Sequence, residues 1–509
     1  MVSSALTVDT ATTIPRRWII CGYLALLGAV FLLALKKPVV LLAIPLLVPA
    51  LWIALAAPSF YTLLAMGLIY SNAAVIAVRF HGVPMIVGMA VPLLLAIPIA
   101  HAWLFRRRPI MIDPVFQLGV LFVLTHLFAT LFSADREESL SVAWEMATEG
   151  LVLYLLIFNA VRTTTVLRRV AWVVLACGAA LGGLCFLQNA TRTYDRSYGG
   201  FAQVEARSGF FTKEAAQQGY GEQRRLAGPI GEKNRFAQIM LMLVPLGMFR
   251  FWAERNIWLR ALAAFATALV MLGLMLTFSR GAMVGFCIMV LAMMVLRYVT
   301  ARQCLAVLGG ICLLLIVLPQ YITRLESLGA LLSPEASIGA ADNNSRSRIA
   351  EAMSAVYMFA DHPWTGVGPG MYQHHFQRYA GIVGTEIQGV KVQDERRQPH
   401  VLYLGLAAEL GLPGTAAFLA MMAVLLVRLN RVRQASLTGR SDLALLAAGF
   451  LFAIISYLGS GLFLHLEYVR YFWLMTALAG AASAIVAQEL STPDNDLKGD
   501  PLSAHQDNC

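Results

Sequence analysis

Pro399-His400-Val401-Leu402-Tyr403-Leu404-Gly405-Leu406-Ala407-Ala408-Glu409-Leu410-Gly411-Leu412-Pro413-Gly414 is the junction at which a long polar segment, 322–400, gives way to an apolar run that continues to residue 428. The run is long enough to cross a bilayer as a helix, which takes about 20 residues. The polar segment before it is far longer than an ordinary connection between helices. It carries Arg346 and Arg348, the turn Gly366-Val367-Gly368-Pro369-Gly370 and the pair His374-His375, and it ends on His400 at the mouth of the next helix. The junction therefore reads as the return of a structured extramembrane loop into the membrane.

Outward from that point the chain is mostly apolar. A mean hydropathy of +0.68, with 59% hydrophobic and 13% charged residues, lies outside the range of soluble globular proteins. Apolar runs predict spans near 18–35, 39–57, 60–80, 84–105, 115–133, 146–161, 168–188, 234–252, 258–277, 282–299, 303–321, 402–428, 442–463 and 469–488. The expected fold is an all-α polytopic membrane protein of about 12–14 transmembrane helices, the lower count applying if an N-terminal pair is re-entrant. Asp135 to Met146 reads as a short amphipathic segment at the interface, with Leu140, Ala143 and Trp144 on one face.

Lysines and arginines in short loops set the orientation. Five loops are basic: Arg106-Arg107-Arg108; Arg162, Arg168 and Arg169; Arg250, Arg255 and Arg260; Arg297 and Arg302; and Arg428, Arg431, Arg433 and Arg440. An even helix count puts all five on one side with Arg16-Arg17, and that side is expected to be cytoplasmic; Lys36-Lys37 fall opposite. The expected organisation is a tail over 1–14, one membrane domain over 15–488 with outward segments 189–233 and 322–400, and a disordered cytoplasmic tail over 489–509. Arg16-Arg17 before an apolar run reads as an uncleaved signal anchor. The two outward segments contain no cysteine, which sets disulfides and cysteine-based metal sites aside there. The net charge of +10 divides between topology signals and outward arginines, so it calls for no nucleic acid. A basic surface facing away from the cytoplasm suits an anionic, lipid-linked substrate.

Several residues can carry chemistry. Arg280, in Thr277-Phe278-Ser279-Arg280-Gly281, sits between two spans at the outer surface. It either snorkels to the headgroups or presents a guanidinium fork to phosphate oxygens in an inner cavity. Arg224-Arg225 and Gly228-Pro229-Ile230-Gly231-Glu232-Lys233-Asn234-Arg235 precede a span on the same side, either as interface anchors or as a phosphate-approach loop without P-loop spacing. Ser345 to Phe359 has helical spacing after a potential Asn343-Asn344 cap, which puts Arg346 and Arg348 in a first turn where the helix dipole gives them nothing. A neutral His400 can accept a proton from a sugar hydroxyl, and nearby guanidiniums would hold it neutral. Glu409, more than two turns deeper, reads as a buried packing acid. His362, His374-His375, Glu386 and Asp394-Glu395 match no recognised metal-ligand spacing, and His465 and Glu467 are secondary candidates.

At these residues the chain resembles the O-antigen ligase and polymerase family of bacterial envelope proteins, over roughly 225–430. The likeness is carried by Gly-Pro-x-Gly-x-x-Asn at 228–234, Thr-Phe-Ser-Arg-Gly at 277–281 and the arginines opening a loop helix. Asp361-His362-Pro363-Trp364-Thr365-Gly366-Val367-Gly368-Pro369-Gly370 follows, then His400 and Glu409-Leu410-Gly411-Leu412-Pro413-Gly414. The resemblance implies a GT-C-like architecture in the bacterial inner membrane, with a large helical periplasmic loop. It implies a metal-independent, inverting transfer of a glycan from undecaprenyl diphosphate to a hydroxyl of lipid A-core or another glycan, with no cofactor and no ATP. The reaction would be O-antigen ligation or O-antigen or exopolysaccharide polymerisation; protein O-glycosylation, or a flippase for lipid-linked glycans, are the alternatives. By motif, His400 assists the acceptor, Arg280 and either Arg346 or Arg348 grip the diphosphate, and Arg225 and Arg235 support them. Val401 departs from the family, which commonly has an amide or hydroxyl residue after the histidine. Trp364, Tyr372, Phe376 and Tyr379 can offer sugar-stacking faces or pack the loop core.

Overall fold

The computed structural model describes residues 52–204, 225–300, 302, 303, 305, 309, 343–386, 397–437, 441–464 and 469–491, with backbone alone for 343–347 and 384–386. The expected span at 18–35, most of those at 39–57 and 303–321, both chain tails, Arg224, Asp394-Glu395, His465, Glu467 and the side chains of Arg346 and Glu386 lie outside it.

Every remaining expected span is a helix. In chain order they are the pair α1 (Ser59–Tyr70) and α2 (Ala73–His81), bent by 57°, then α3 (Met85–Arg106), α4 (Pro114–Thr130), α5 (Arg136–Ala160) and α6 (Thr164–Ala190). After them come α7 (Lys233–Ala253), α8 (Ile257–Met275) and α9 (Arg280–Val295). The loop helices are α10 (Asn343–Asp361) and α11 (Tyr372–Glu386). The chain then re-enters with α12 (Leu402–Ser436), α13 (Ser441–Ser460) and α14 (Val469–Ser491). Eight of these helices are long and apolar enough to cross a bilayer, nine if the bent pair is one span; α4 and α9 are shorter apolar helices. A two-stranded ribbon, β1 (Gln203–Val204) with β2 (Leu226–Gly228), leads into α7.

The segment from Asp135 is not a separate interfacial piece but the first part of α5. Asp135 caps it by accepting from the Glu137 and Glu138 N–H groups. A π-helical turn, Met146–Val152, joins it to the rest of the span. That turn packs on Trp473, whose indole N–H donates to the Met146 sulfur at 3.2 Å. Leu140 and Trp144 point outward, whereas Ala143 is turned into the protein.

Burial sorts the helices by role. In the apolar windows of α7, α13 and α14, 78%, 83% and 83% of residues are buried, against 22% in α3 and 28% in α8. The first three form the centre of the bundle and the last two offer apolar faces to lipid. Close helix approach relies on small residues, as membrane packing does: a Cβ on Gly182 of α6 would lie 2.1 Å from the Leu269 carbonyl oxygen of α8.

The basic loops gather at one end. Arg168 pairs with Asp442, the Thr164 hydroxyl donates to Glu489, Arg250 lies over Trp172, and Arg433 lies over Tyr298. His400 lies at the other end, where α7, α9 and α12 begin.

Helix α12 is broken. Gly411 has φ 65° and ψ −164°, and Pro413 has no N–H to offer the Glu409 carbonyl. The returning loop fills the gap: Val367 N–H donates to Ala408 (2.9 Å), Gly368 N–H to Glu409 (3.0 Å), and Leu412 N–H to Pro363 (2.7 Å). The Glu409 side chain also accepts from the Tyr372 N–H at 3.3 Å. The same loop rests on α5, with the Ser139 hydroxyl on the Pro369 carbonyl (2.9 Å) and His374 against Glu138 (2.8 Å). At Gly366, where φ is +64°, a Cβ would sit 2.2 Å from the Glu409 backbone, which has no room to yield. Gly366→Ala should therefore undock the loop. Backbone strain alone costs about 1–3 kcal/mol, and limited proteolysis should cut 343–386 faster. Gly370→Ala, whose Cβ would meet only the Val142 side chain at 3.0 Å, is the comparison. Equal cleavage of both variants and the wild type would remove this role for the break.

Candidate functional site

The polar site is assembled where three helices begin, so their positive dipole ends and unpaired N–H groups share one region. Glu232 caps α7, accepting from the Asn234 and Arg235 N–H groups at 3.0 and 2.7 Å. Gly228-Pro229-Ile230-Gly231 is the tight turn between β2 and that cap. It is fixed by Asn72 and Gln203, whose amides both donate to the Pro229 carbonyl at 3.1 Å. The Thr277–Gly281 turn joins α8 to α9, with Phe278 held at φ 53°, an unusual value for a non-glycine residue. Ser279 donates to the Asn234 side chain at 3.0 Å, locking the start of α9 to the start of α7. Arg280 is thus one residue from a bond to Asn234, which Lys233 and Arg235 flank. Arg225 opens β2, whose Leu226 N–H donates to the Leu276 carbonyl at 3.3 Å, placing it by the same turn.

His400 is brought in by the returning loop. The Leu402 N–H donates to the Gly461 and Leu464 carbonyls at 2.8 and 3.0 Å, and Gly281 packs against Phe463 and Leu464. That ties the start of α12 to the start of α9. The His400 Nε2 lies 3.8 Å from the Glu351 carboxylate on α10, which takes an ion pair from Arg397 at 3.1 Å. The Glu351 side chain is only 4% exposed, and His400 is 33% exposed. Burial, and then the charges of Arg348, Arg397, Lys233 and Arg235, push the His400 imidazole down to about 4. Four cations from three separate stretches of chain therefore act on His400.

The structure brings the charges of Arg348 and Arg235 to bear on His400, and the Ser279–Asn234 bond sets Arg280 at the start of α9, next to the start of α7. The Arg348 charge acts on His400, while the side chain of Arg346 lies outside the described residues. The fold brings in Lys233 of the 228–235 loop, and adds Arg397 and Glu351, which sequence reasoning missed. Of the aromatic candidates, Tyr372, Phe376 and Tyr379 are buried in the loop's own core with Met358 and Val367. They are not open sugar platforms, whereas Trp364 is 65% exposed. Tyr372 donates to the Glu351 carbonyl at 2.6 Å and Tyr379 to Asp361 at 2.7 Å, so both hydroxyls are structural. Glu409 is more than a packing acid, because it holds the loop backbone at Tyr372. Among the described residues, no three His, Cys, Asp or Glu side chains are placed to share a metal ion.

These features define an all-α polytopic membrane protein whose basic, histidine-containing site is formed by a loop docked on a broken helix. Residues 263–419 match the family described as O-Antigen ligase, a stretch that runs from α8 through the docked loop and His400 into α12. The match supports placing the chain in the O-antigen ligase/polymerase family and, coarsely, an O-antigen ligase-type membrane glycosyltransferase. No curated protein matches the chain. The Gly228–Asn234 turn lies outside the matched stretch, though the structure joins it to the site.

His400 should stay neutral, and so reactive toward carbethoxylation, down to about pH 4. An ordinary histidine loses that reactivity as pH falls through about 6.5. Arg348→Ala should move the His400 midpoint upward. A wild-type midpoint near the ordinary value, read by mass spectrometry of the labelled peptide, would contradict the electrostatic picture.

Proposed function

We propose that the protein transfers a glycan from undecaprenyl diphosphate to a hydroxyl of lipid A-core or of a second glycan, on the periplasmic face of the bacterial inner membrane. The observation that carries this reading is the set of cations, Lys233, Arg235, Arg348 and Arg397, all acting on one imidazole at the membrane edge. Such a cluster is suited to an anionic leaving group beside a proton acceptor. Under the positive-inside rule the gathered basic loops are cytoplasmic, which makes the His400 end periplasmic.

In the proposed reaction the acceptor oxygen attacks the anomeric carbon as the bond to the diphosphate breaks. The electron pair leaves on a phosphate oxygen and the hydroxyl proton passes to His400. One displacement inverts the anomeric centre. Arg280, Arg348, Arg235 and Lys233 neutralise the diphosphate without needing a metal, aided by the starts of α7 and α9. Arg225 lies further out, as support.

The same cations explain how His400 becomes a competent base. In the empty site they oppose protonation. A bound diphosphate cancels much of their charge, while the buried Glu351 carboxylate at 3.8 Å favours the imidazolium. The base is therefore weak until the donor is in place.

The test is transfer in proteoliposomes from a native undecaprenyl-diphosphate donor, with lipid A-core or a second donor molecule as acceptor. His400→Ala should lower the rate by about 10²–10⁴-fold. Arg280→Ala should lower it by about 10²–10³-fold, as loss of one charge-stabilising donor does. Chelators should have no effect. The acid limb of kcat, which reports the loaded enzyme, should lie at higher pH than that of kcat/KM. Full activity in both folded variants would defeat the mechanism, and coincident limbs would remove donor activation of the base. The productive acceptor separates ligation from polymerisation.

A further inference from the structure

At the helix ends opposite His400, a cavity of about 270 Å³ opens between the connection after α3, the end of α5 and α14. Arg108, Arg162 and Gln488 contribute its polar side chains, and no carboxylate lines it among the described residues. Its remaining wall is apolar, with Phe158, Ala484 and Ile485 among the lining residues.

The two guanidiniums are held there by a buried device. Asn159, only 3% exposed, accepts from the Met111 N–H at 2.8 Å and donates to the Met111 carbonyl at 3.0 Å. Those bonds pin the connection after α3 to the end of α5. The Asn159 oxygen also accepts from Arg162, which leaves the buried Arg162 Nε with no partner among the described residues. Burial and the nearby Arg108 charge hold the Arg162 guanidinium below its ordinary value, so the pair opposes itself in the empty cavity. The neighbouring acid, Glu489, accepts the Thr164 hydroxyl at 2.6 Å and is not part of the lining.

A pocket with two cations at one side and an apolar wall at the other matches an amphiphile whose polar part is a phosphate. We infer that the Arg108–Arg162 cavity binds a phosphate ester, supplied by the headgroup of an anionic phospholipid in the adjoining leaflet. This site is independent of the glycan-transfer reading, since it lies at the other ends of the helices. The bound headgroup would bridge the connection after α3, the end of α5 and α14, and quench the repulsion between the two arginines.

Native mass spectrometry of the full-length protein, offered phosphatidylglycerol or phosphatidylcholine, tests this. Phosphatidylglycerol should be retained in preference. Each Arg108→Ala or Arg162→Ala change should weaken retention about 5-fold, and the double variant roughly 30-fold, as expected for charges facing an anionic headgroup. Arg106→Ala/Arg107→Ala removes the same charge from the same loop outside the cavity and should retain the lipid nearly as well as wild type. Arg108→Ala leaves the Asn159 bonds intact, so its effect is separable from a folding defect. Inorganic phosphate binding with the same arginine dependence, in place of the lipid, would assign the site to the free ion. Equal losses in both arginine pairs, or no preference for phosphatidylglycerol, would overturn the proposal.

Discussion

Three backbone hydrogen bonds between the 363–368 stretch and the break in α12 hold the site together. Peptide groups at membrane depth must be satisfied within the protein, and each one left open costs several kcal/mol. Gly411 and Pro413 create open groups by design of the sequence: one residue turns the chain out of the helix and the other removes a donor. Only the docked loop closes them. Fold and site are therefore coupled, because the loop that repairs the helix also carries α10, with Arg348 and Glu351, to the mouth where His400 stands. Gly366 lets loop backbone meet helix backbone, and Gly368 and Gly370 approach the Ser133 and Val142 side chains, a structural demand before it is a functional one.

The second constraint is electrostatic. Cations converge near a half-open imidazole, with one buried carboxylate opposing them. Such an arrangement is costly when empty, since like charges are held together near a low-dielectric boundary. The ion pair of Glu351 with Arg397 relieves part of that cost, and the Glu351 backbone is steadied by the buried Tyr372 hydroxyl. A site under this tension is stabilised by whatever anion it binds. The proposed donor fits because its charge is at the headgroup level and its tail belongs in the bilayer. The apolar faces of α3 and α8 show how readily this chain shares its surface with lipid.

The membrane helices were legible in the sequence because hydropathy over a span-length window is a strong local signal. The start of α5 was misjudged because Arg136, Glu137 and Glu138 lower the hydropathy of its first turn while Asp135 still caps a continuous helix. His400, Arg280 and the Glu409–Gly414 run were legible as motifs. Glu351 was not: in sequence it is one acid on a polar loop helix, and only the tertiary fold puts it against His400 and Arg397. The aromatic residues did carry a readable signal. Tyr372, Phe376 and Tyr379 recur at i, i+4 and i+7, the stripe of a helix that buries one face, and the structure shows that stripe forming the loop core.

The placement of Arg348 shows where sequence reasoning stops and geometry takes over. Whether it faces the histidine depends on how α10 is rotated. That rotation is set by packing: Ala355 and Met358 are buried against α11, and Glu351 sits one turn earlier on the way to His400. Arg348 lies three residues before Glu351, on the same face, and its charge acts on the imidazole. Arg348 is thus carried toward the site by the loop's hydrophobic core.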